Sequence, residues 1–294
     1  MSSLFQVNSY AKINWTLDIL FKREDGYHEL QTIYQTVSLH DRLRITESAD
    51  AIEIACDDLR VPCNETNLIF KAATLLREAA RITKGARIEI DKRIPVAAGL
   101  GGGSSNAATT LLALVKLWRL EIDQRELTRI ASALGSDVPF FLIGGTAMGV
   151  GRGEQVHPVE QVSREHLLLV NPGFAVSTRD AYEGYARLTR PEPASIMPFT
   201  LPTANGVREL PLAARNDLEE VVLASYPEIA EVKRRLIAAG ARHAVMSGSG
   251  ATVFGVFDNS QVTERAESEM RALGYWTERV RTVDQQEYQA TIFS

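Results

Sequence analysis

Residues 95–108 read PVAAGLGGGSSNAA, with four glycines in the five positions from Gly99. The alternating residues 86–91 before this run predict a strand, and the residues after it predict a long helix. Between a strand and a helix, backbone N–H groups and the helix dipole favour an anion. Glycines let the backbone approach that anion closely. The run therefore predicts a phosphate-binding loop, in which Ser104 and Ser105 can add hydroxyls to phosphate oxygens or to Mg²⁺.

Two common glycine-rich loops do not match this run. A Walker A loop ends in Gly-Lys-Ser/Thr, whereas Gly103 is followed by Ser104. A dinucleotide fingerprint needs glycine at its sixth position, and counted from Gly99 that position is again Ser104. The next predicted element is a second helix, with Asp123 as its N-cap and Glu126 at the capping-box position. A tight turn without a ligand remains the alternative reading.

Composition restricts the class of protein. The chain has 294 residues, of which 45% are hydrophobic and 23% charged, as in ordinary globular proteins. The net charge of −5 argues against nucleic-acid binding, which needs a basic surface. No stretch approaches the roughly 18 consecutive apolar residues of a spanning helix, and residues 1–6 lack the features of a secretory signal. We therefore expect a cytoplasmic protein with no membrane or nucleic-acid partner.

The cysteines and histidines give no sign of a metal site. Cys56 and Cys63 fit neither zinc-ligand nor redox spacing, and the five histidines are scattered. We therefore expect no metal ion held by protein groups alone.

The predicted elements indicate an α+β protein of two domains, because helices alternate irregularly with mostly antiparallel strands. Composition shifts near residue 152, which places the domains at 1–152 and 153–294. The stretch 189–214 carries five of the eleven prolines and is predicted to be an irregular loop. Strands near 242–246 and 252–257 flank a second glycine-serine loop.

The phosphate loop resembles that of the GHMP kinase superfamily. Two further segments lie where this superfamily has its other motifs, AKIN at 11–14 and SGSGAT at 247–252, so the resemblance covers nearly the whole chain. It implies a two-domain GHMP kinase fold, with an N-terminal ribosomal-protein-S5-like nucleotide-binding domain and a C-terminal ferredoxin-like α/β domain. It also implies ATP as phosphoryl donor, with Mg²⁺ bound to the nucleotide.

Further motifs make the resemblance more specific: DGYHEL at 25–30, GSDVPFF at 135–141 and NDLE at 216–219. Together with AKIN at 11–14, they are similar to the motifs of the GHMP kinases that phosphorylate a cytidylylated methylerythritol. This likeness implies a small-molecule substrate, phosphorylated at its 2-hydroxyl on the non-mevalonate route to isoprenoid precursors. Trp15 departs from the usual aliphatic residue, but it lies on the apolar face of its strand and concerns packing.

Asp137 and Lys12 are the candidate catalytic residues. Asp137 follows a predicted helix in a turn, where it can either accept a proton or cap the next segment. Lys12 lies mid-strand on the same face as Asn14 and Asp18, which alone would indicate a solvated face. The resemblance implies that Lys12 keeps Asp137 ionised near the acceptor hydroxyl and stabilises the transition state. Asn14 would help to orient the substrate, and Asp18 has no assigned role.

The remaining candidates follow from the resemblance. It implies that Tyr27 and Tyr182 stack on opposite faces of the cytosine and that His28 bonds to its edge. Thr178 would lie near the diphosphate. The predicted ATP-binding residues are Asn67 and Lys92 near the adenosine, and Gly99, Gly101, Gly102, Gly103, Ser104 and Ser105 at the phosphates.

Three other functions remain as alternatives. Another GHMP kinase, acting on homoserine, a sugar or a mevalonate derivative, would not need residues 26–28, because those substrates carry no base. A nucleotide-binding regulator without catalysis would not need Lys12 and Asp137. A dehydrogenase fails at Ser104. The sequence leaves open whether the chain is a monomer or a homodimer.

Overall fold

The computed structural model describes residues 4–188 and 214–293. The strands are β1 Leu4–Lys22, β2 His28–Ser48, β3 Ile52–Cys56, β4 Gly85–Asp91, β5 Thr146–Val150, β6 Gln155–Pro158, β7 Leu167–Asn171, β8 Arg215–Asn216, β9 His243–Met246, β10 Val253–Val256 and β11 Trp276–Val280. The helices are α1 Leu68–Ala80, α2 Gly102–Trp118, α3 Gln124–Leu134, α4 Thr178–Ala186, α5 Glu219–Ser225, α6 Pro227–Ala238, α7 Ser260–Ala272 and α8 Gln285–Thr291, with a 3-10 turn at Pro139–Leu142.

The described residues form two sheets with helices packed against them. The first sheet has seven strands in the order β3-β4-β2-β1-β8, with β5 pairing with β2 and β6 pairing with β5. The second has four antiparallel strands in the order β11-β7-β10-β9. Only β3–β4 and β1–β8 are parallel pairs. This mixed, mostly antiparallel arrangement confirms the α+β prediction.

Strand β1 is buried on both faces, although the polar residues on one face would alone indicate that it is solvated. Ala11, Ile13 and Trp15 belong to a core cluster that includes Phe254 of the second sheet. The polar face is also buried, because the backbone N–H of Lys12 donates to the carbonyl of Leu100 and the phosphate loop covers that face. The polar face of β1 therefore lies inside the protein, next to the cleft.

One helix starts at its predicted capping residue, and the caps of two others were not predicted. The Asp123 carboxylate accepts a hydrogen bond of 2.7 Å from the backbone N–H of Glu126, which starts α3. Asn67 caps α1 in the same way, by accepting from the N–H of Ile69. Helix α2 has no side-chain cap, since it begins after Gly101 in the left-handed conformation. Its first N–H groups are therefore left for a ligand.

Several elements differ from the sequence-based expectation. Helices α4 and α8 and strand β6 were not predicted. Helix α5 begins at Glu219, after residues 215–216 pair with β1 as β8. The predicted loop at 189–214 lies outside the described residues except for its last position.

Candidate active site

A cleft of about 1020 Å³ lies between the phosphate loop, the polar face of β1, the turn after α3 and helix α4. Its lining contains every predicted site residue except Ser105: Lys12, Asn14, Tyr27, His28, Asn67, Lys92, Gly99, Gly101, Gly102, Gly103, Ser104, Asp137, Thr178 and Tyr182. The fold thus brings together residues from both predicted domains.

The two glycine-serine loops pack directly against each other. The Ser247 hydroxyl donates to the carbonyl of Gly99 at 3.0 Å, and the backbone N–H of Thr252 donates to the carbonyl of Ala98 at 3.3 Å. Gly99 has a φ of +78°, and a Cβ added there would overlap the carbonyl oxygen of Ser247. Glycine is required at this position both for its backbone conformation and for this close approach.

Lys12 and Asp137 form an ion pair at the centre of the cleft. The Lys12 Nζ lies 3.5 Å from the Asp137 Oδ2 and donates to the Asn14 Oδ1 at 2.6 Å. The Asn14 amide donates to the Thr32 hydroxyl at 2.7 Å, which fixes its orientation. A buried ammonium beside a cleft-facing carboxylate agrees with the predicted pairing of these two residues. Asp18, by contrast, pairs with Arg215.

The Asp137 carboxylate bonds to a side chain rather than capping the next turn. Its Oδ1 accepts a hydrogen bond of 3.0 Å from the phenol of Tyr34. Val138 is the cap residue of the 3-10 turn, which has no side-chain cap bond. The side chain of Asp137 remains 32% exposed, so the carboxylate can reach a bound molecule.

Tyr34, which the sequence did not single out, is buried beneath this carboxylate. Its ring stacks on Phe140 with a centroid distance of 4.9 Å. Burial, reinforced by the charge of Asp137, raises the pKa of the Tyr34 phenol well above its usual value. Tyr34 therefore stays protonated and donates. A tyrosine in a strand carries no distinguishing sequence signal.

Two of the aromatic residues assigned to the base contact each other: Tyr182 stacks on His28, with a ring-centroid distance of 5.5 Å. Tyr27 is 55% exposed, and the guanidinium of Arg152 lies 4.7 Å from its ring centroid. Partial burial, with the nearby charge of Lys22, lowers the pKa of His28. The roles of these residues toward a base stay predictions.

The two predicted adenosine contacts already have protein partners. Asn67 donates to the carbonyl of Pro62 at 2.6 Å in addition to capping α1. The Lys92 ammonium donates to the Asp41 Oδ2 at 2.7 Å and to the carbonyl of Ile94 at 2.6 Å. A lysine has three N–H donors, so one remains for a ligand.

Ser104 and Ser105 lie on different sides of the phosphate loop. Ser104 lines the cleft, whereas the buried Ser105 hydroxyl accepts a hydrogen bond of 2.8 Å from Ser9 on β1. Consecutive residues of a helix point about 100° apart, so only one of the two faces the ligand side. The structure therefore brings Ser104, but not Ser105, to the cleft.

Thr178, the first residue of α4, connects α4 to the second glycine-serine loop. Its hydroxyl lies 2.9 Å from that of Ser249, within hydrogen-bond distance. Thr178 therefore lies where α4 and this loop meet at the wall of the cleft.

Within residues 4–188 and 214–293, no three His, Cys, Asp or Glu side chains are grouped closely enough to bind a metal ion. In the same ranges, none of the helices combines the length and the apolar character needed to span a bilayer.

Comparison with known proteins decides the family. The family model described as GHMP kinases N terminal domain matches residues 67–145, and GHMP kinases C terminal matches residues 206–275. A 4-diphosphocytidyl-2-C-methyl-D-erythritol kinase from Syntrophus aciditrophicus is 42% identical over 93% of this chain and 97% of its own length. The chain belongs to this kinase family within the GHMP kinases. Another member, from Thermoanaerobacter pseudethanolicus, is 39% identical over 95% of this chain and 96% of its own.

Solved structures of GHMP kinases have the same fold. A crystal structure of 4-(cytidine 5'-diphospho)-2C-methyl-D-erythritol kinase aligns with a TM-score of 0.74 and 34% identity, covering 95% of this chain and 99% of that one. A homoserine kinase from Cytophaga hutchinsonii aligns with a TM-score of 0.68 but only 16% identity, covering 98% and 97% of the two chains. The second likeness concerns the fold alone.

Proposed function

We propose that this chain transfers the γ-phosphoryl group of ATP to the 2-hydroxyl of 4-diphosphocytidyl-2-C-methyl-D-erythritol, giving ADP and the 2-phosphate. The observation that carries this proposal is the position of the Lys12–Asp137 pair. It lies in one cleft with the phosphate loop and with the aromatic group of Tyr27, His28 and Tyr182. A nucleotide's phosphates and an acceptor carrying a base can therefore both reach the pair.

In the proposed reaction, Asp137 accepts the proton of the acceptor hydroxyl. The acceptor oxygen then forms a bond to the γ-phosphorus while the bond from that phosphorus to the β–γ bridging oxygen breaks, and ADP leaves. The Lys12 ammonium, 3.5 Å from the carboxylate, stabilises the negative charge that is distributed over the reacting oxygens. The protein contributes mainly positioning and charge neutralisation, which is what phosphoryl transfer requires.

We assign the ATP phosphates to the amides of residues 101–104 and the Ser104 hydroxyl. Helix α2 starts at this loop without a side-chain cap, so its N-terminal amides suit an anion. Mg²⁺ would be held mainly by the nucleotide's phosphate oxygens, to which the Ser104 hydroxyl in the cleft could add, and it would neutralise their charge. The division at residue 152 also remains our proposal, although β6 continues the first sheet to Pro158.

The test is ADP release in the presence of Mg-ATP with four separate acceptors. These are 4-diphosphocytidyl-2-C-methylerythritol, its precursor without the cytidylyl group, homoserine and mevalonate. We expect turnover with the first only, because the other three offer no base to the aromatic group at the acceptor end. Turnover with another acceptor, or with none, would refute the substrate assignment while leaving the fold unaffected.

A further inference from the structure

We propose that Tyr34 is a positioning residue that holds the Asp137 carboxylate in the orientation that accepts the acceptor proton. The inference rests on the function proposed above. Its first observation is that the two carboxylate oxygens have different surroundings. Oδ1 accepts the hydrogen bond from Tyr34 at 3.0 Å, whereas Oδ2 lies 3.5 Å from the Lys12 Nζ.

Lys12 by itself provides little directional control over this carboxylate. A distance of 3.5 Å is longer than the usual 2.7–3.2 Å of an N–H···O hydrogen bond. The Lys12 ammonium is instead anchored on Asn14, at 2.6 Å. Lys12 therefore supplies charge, and the hydrogen bond that fixes the rotation of the Asp137 carboxylate comes from Tyr34. This bond leaves Oδ2 to the substrate.

Tyr34 is itself locked in place by its neighbours. It is 2% exposed, and Phe140 stacks on its ring. A Cβ added at Gly149 would lie 2.5 Å from the ring carbon Cε2, and one added at Gly153 would overlap the phenol oxygen. Two glycines thus create the slot that the ring fills. The phenol oxygen lies 3.0 Å from the Asp137 Oδ1 and 3.4 Å from the carbonyl oxygen of Gly153, so the shorter hydrogen bond is the one to the carboxylate. A rigid donor of this kind is what a positioning residue needs.

The test replaces Tyr34 by phenylalanine, which keeps the ring and removes only the hydroxyl. We expect kcat to fall about ten- to hundredfold, the effect of losing one hydrogen bond to a charged group. The KM values for ATP and the acceptor should stay within about twofold, because the Tyr34 side chain is buried and its hydroxyl is engaged by Asp137. The kcat is calculated per ATP-binding site, with the number of sites measured by calorimetry, so that unfolded protein does not lower its value.

The pH profile separates positioning from packing. A hydrogen bond donated to an ionised carboxylate favours its charged form, so Tyr34→Phe should move the acid limb of kcat/KM to higher pH. The other ionisable groups facing Tyr34 and Asp137 are Lys12, Tyr182 and Glu154, and the variant leaves them intact. A loss of packing alone would lower activity without moving this limb.

Tyr10→Phe is the matched control. The Tyr10 phenol is also buried and bonds to the Thr291 hydroxyl at 2.7 Å, but it lies outside the cleft. This variant removes the same chemical group and should change neither kcat nor the pH profile. An equal effect of the two variants would overturn the role of Tyr34.

A double variant tests whether Tyr34 acts through Asp137. If it does, Tyr34→Phe should lower kcat by less than about twofold when Asp137→Asn is already present. A full additional loss there, or an unchanged kcat and pH profile in the single variant, would overturn the inference while the proposed function stands. Failure of the unaltered protein to use the cytidylylated acceptor would instead overturn the proposed function, and this inference with it.

Discussion

The ammonium of Lys12, in the middle of the first strand, lies 3.5 Å from the carboxylate of Asp137, in the turn after α3. The lysine is buried and the aspartate is partly exposed to the cleft. Desolvating a lysine is costly unless a partner compensates, and here Asn14 and Asp137 share that role. The charge of Lys12 therefore balances that of the Asp137 carboxylate, which remains accessible to a bound acceptor.

Asp137→Asn should lower kcat by about 10²- to 10⁴-fold, the usual contribution of a positioned general base. The affinity for ATP, measured by calorimetry, should change less than about threefold, because the phosphate loop remains intact. Asp123→Asn is the matched control: Asp123 is an exposed carboxylate at the start of α3, and asparagine caps a helix equally well. Activity of Asp137→Asn within a few-fold of the unaltered protein would remove Asp137 from the mechanism.

Replacement of Tyr27 by alanine should raise the KM for the cytidylylated acceptor about tenfold or more, since one base–aromatic stacking contact contributes ~1–3 kcal/mol. His28→Ala should raise the same KM, because it removes the hydrogen bond to the edge of the base. The KM for ATP and the kcat should change little, because both side chains lie at the acceptor end of the cleft. Tyr226→Ala is the control, because this ring stacks on Phe174 outside the cleft. An unchanged acceptor KM in both variants would place the base elsewhere.

The structure also predicts how His28 responds to pH. Partial burial and the charge of Lys22 lower the pKa of His28 below the usual 6.5. As pH falls below about 6.5, the unfolded chain therefore takes up this proton first, and the folded state loses stability down to the folded pKa. The His28 imidazole signal in NMR, assigned with His28→Gln, should titrate below pH 6.5. Lys22→Met should raise that midpoint. A midpoint at or above pH 6.5 in the unaltered protein would contradict the lowered pKa of His28.

The sequence predicted the parts of this fold that depend on local chemistry. The glycine turn before α2 and the Asp123 cap are local signals, and both form as predicted, whereas phosphate binding by this loop stays a prediction. Helix α4 was missed because it buries only Ala181 and Tyr185, too few residues for a clear period of 3.6. The apolar face of such a short helix is difficult to distinguish from a loop.

The candidate site was only partly predictable from the sequence. Motifs pointed to Lys12 and Asp137 as candidates, whereas no motif pointed to Tyr34 or Asp41, because the contacts of these two residues are distant in sequence. Tyr34 lies opposite Asn14 in the β1–β2 register and reaches Asp137 through the folded core. Asp41 meets Lys92 only after strands and loop have assembled. No period or short motif in a single sequence records such pairings.

Behind the phosphate loop, the fully buried carboxylate of Asp41 accepts four hydrogen bonds. Oδ1 accepts from the backbone N–H groups of Arg93 and Ile94, and Oδ2 from the ammonium of Lys92 and the amide of Asn106. Asp41 thereby connects the segment before the loop with the first turn of α2. Every lone pair of the carboxylate has a donor, which is the condition under which a buried charge is tolerated.

Asp41→Asn should therefore destabilise the protein strongly. The amide cannot accept from all four donors and leaves the Lys92 charge uncompensated, so we expect a loss of about 3–5 kcal/mol in the free energy of unfolding, measured with urea. Glu89→Gln is the matched control, because it breaks only surface pairs, with Arg44 and Arg87, and should cost less than about 1 kcal/mol. A loss for Asp41→Asn as small as that of the control would show that the buried network does not hold the loop in place.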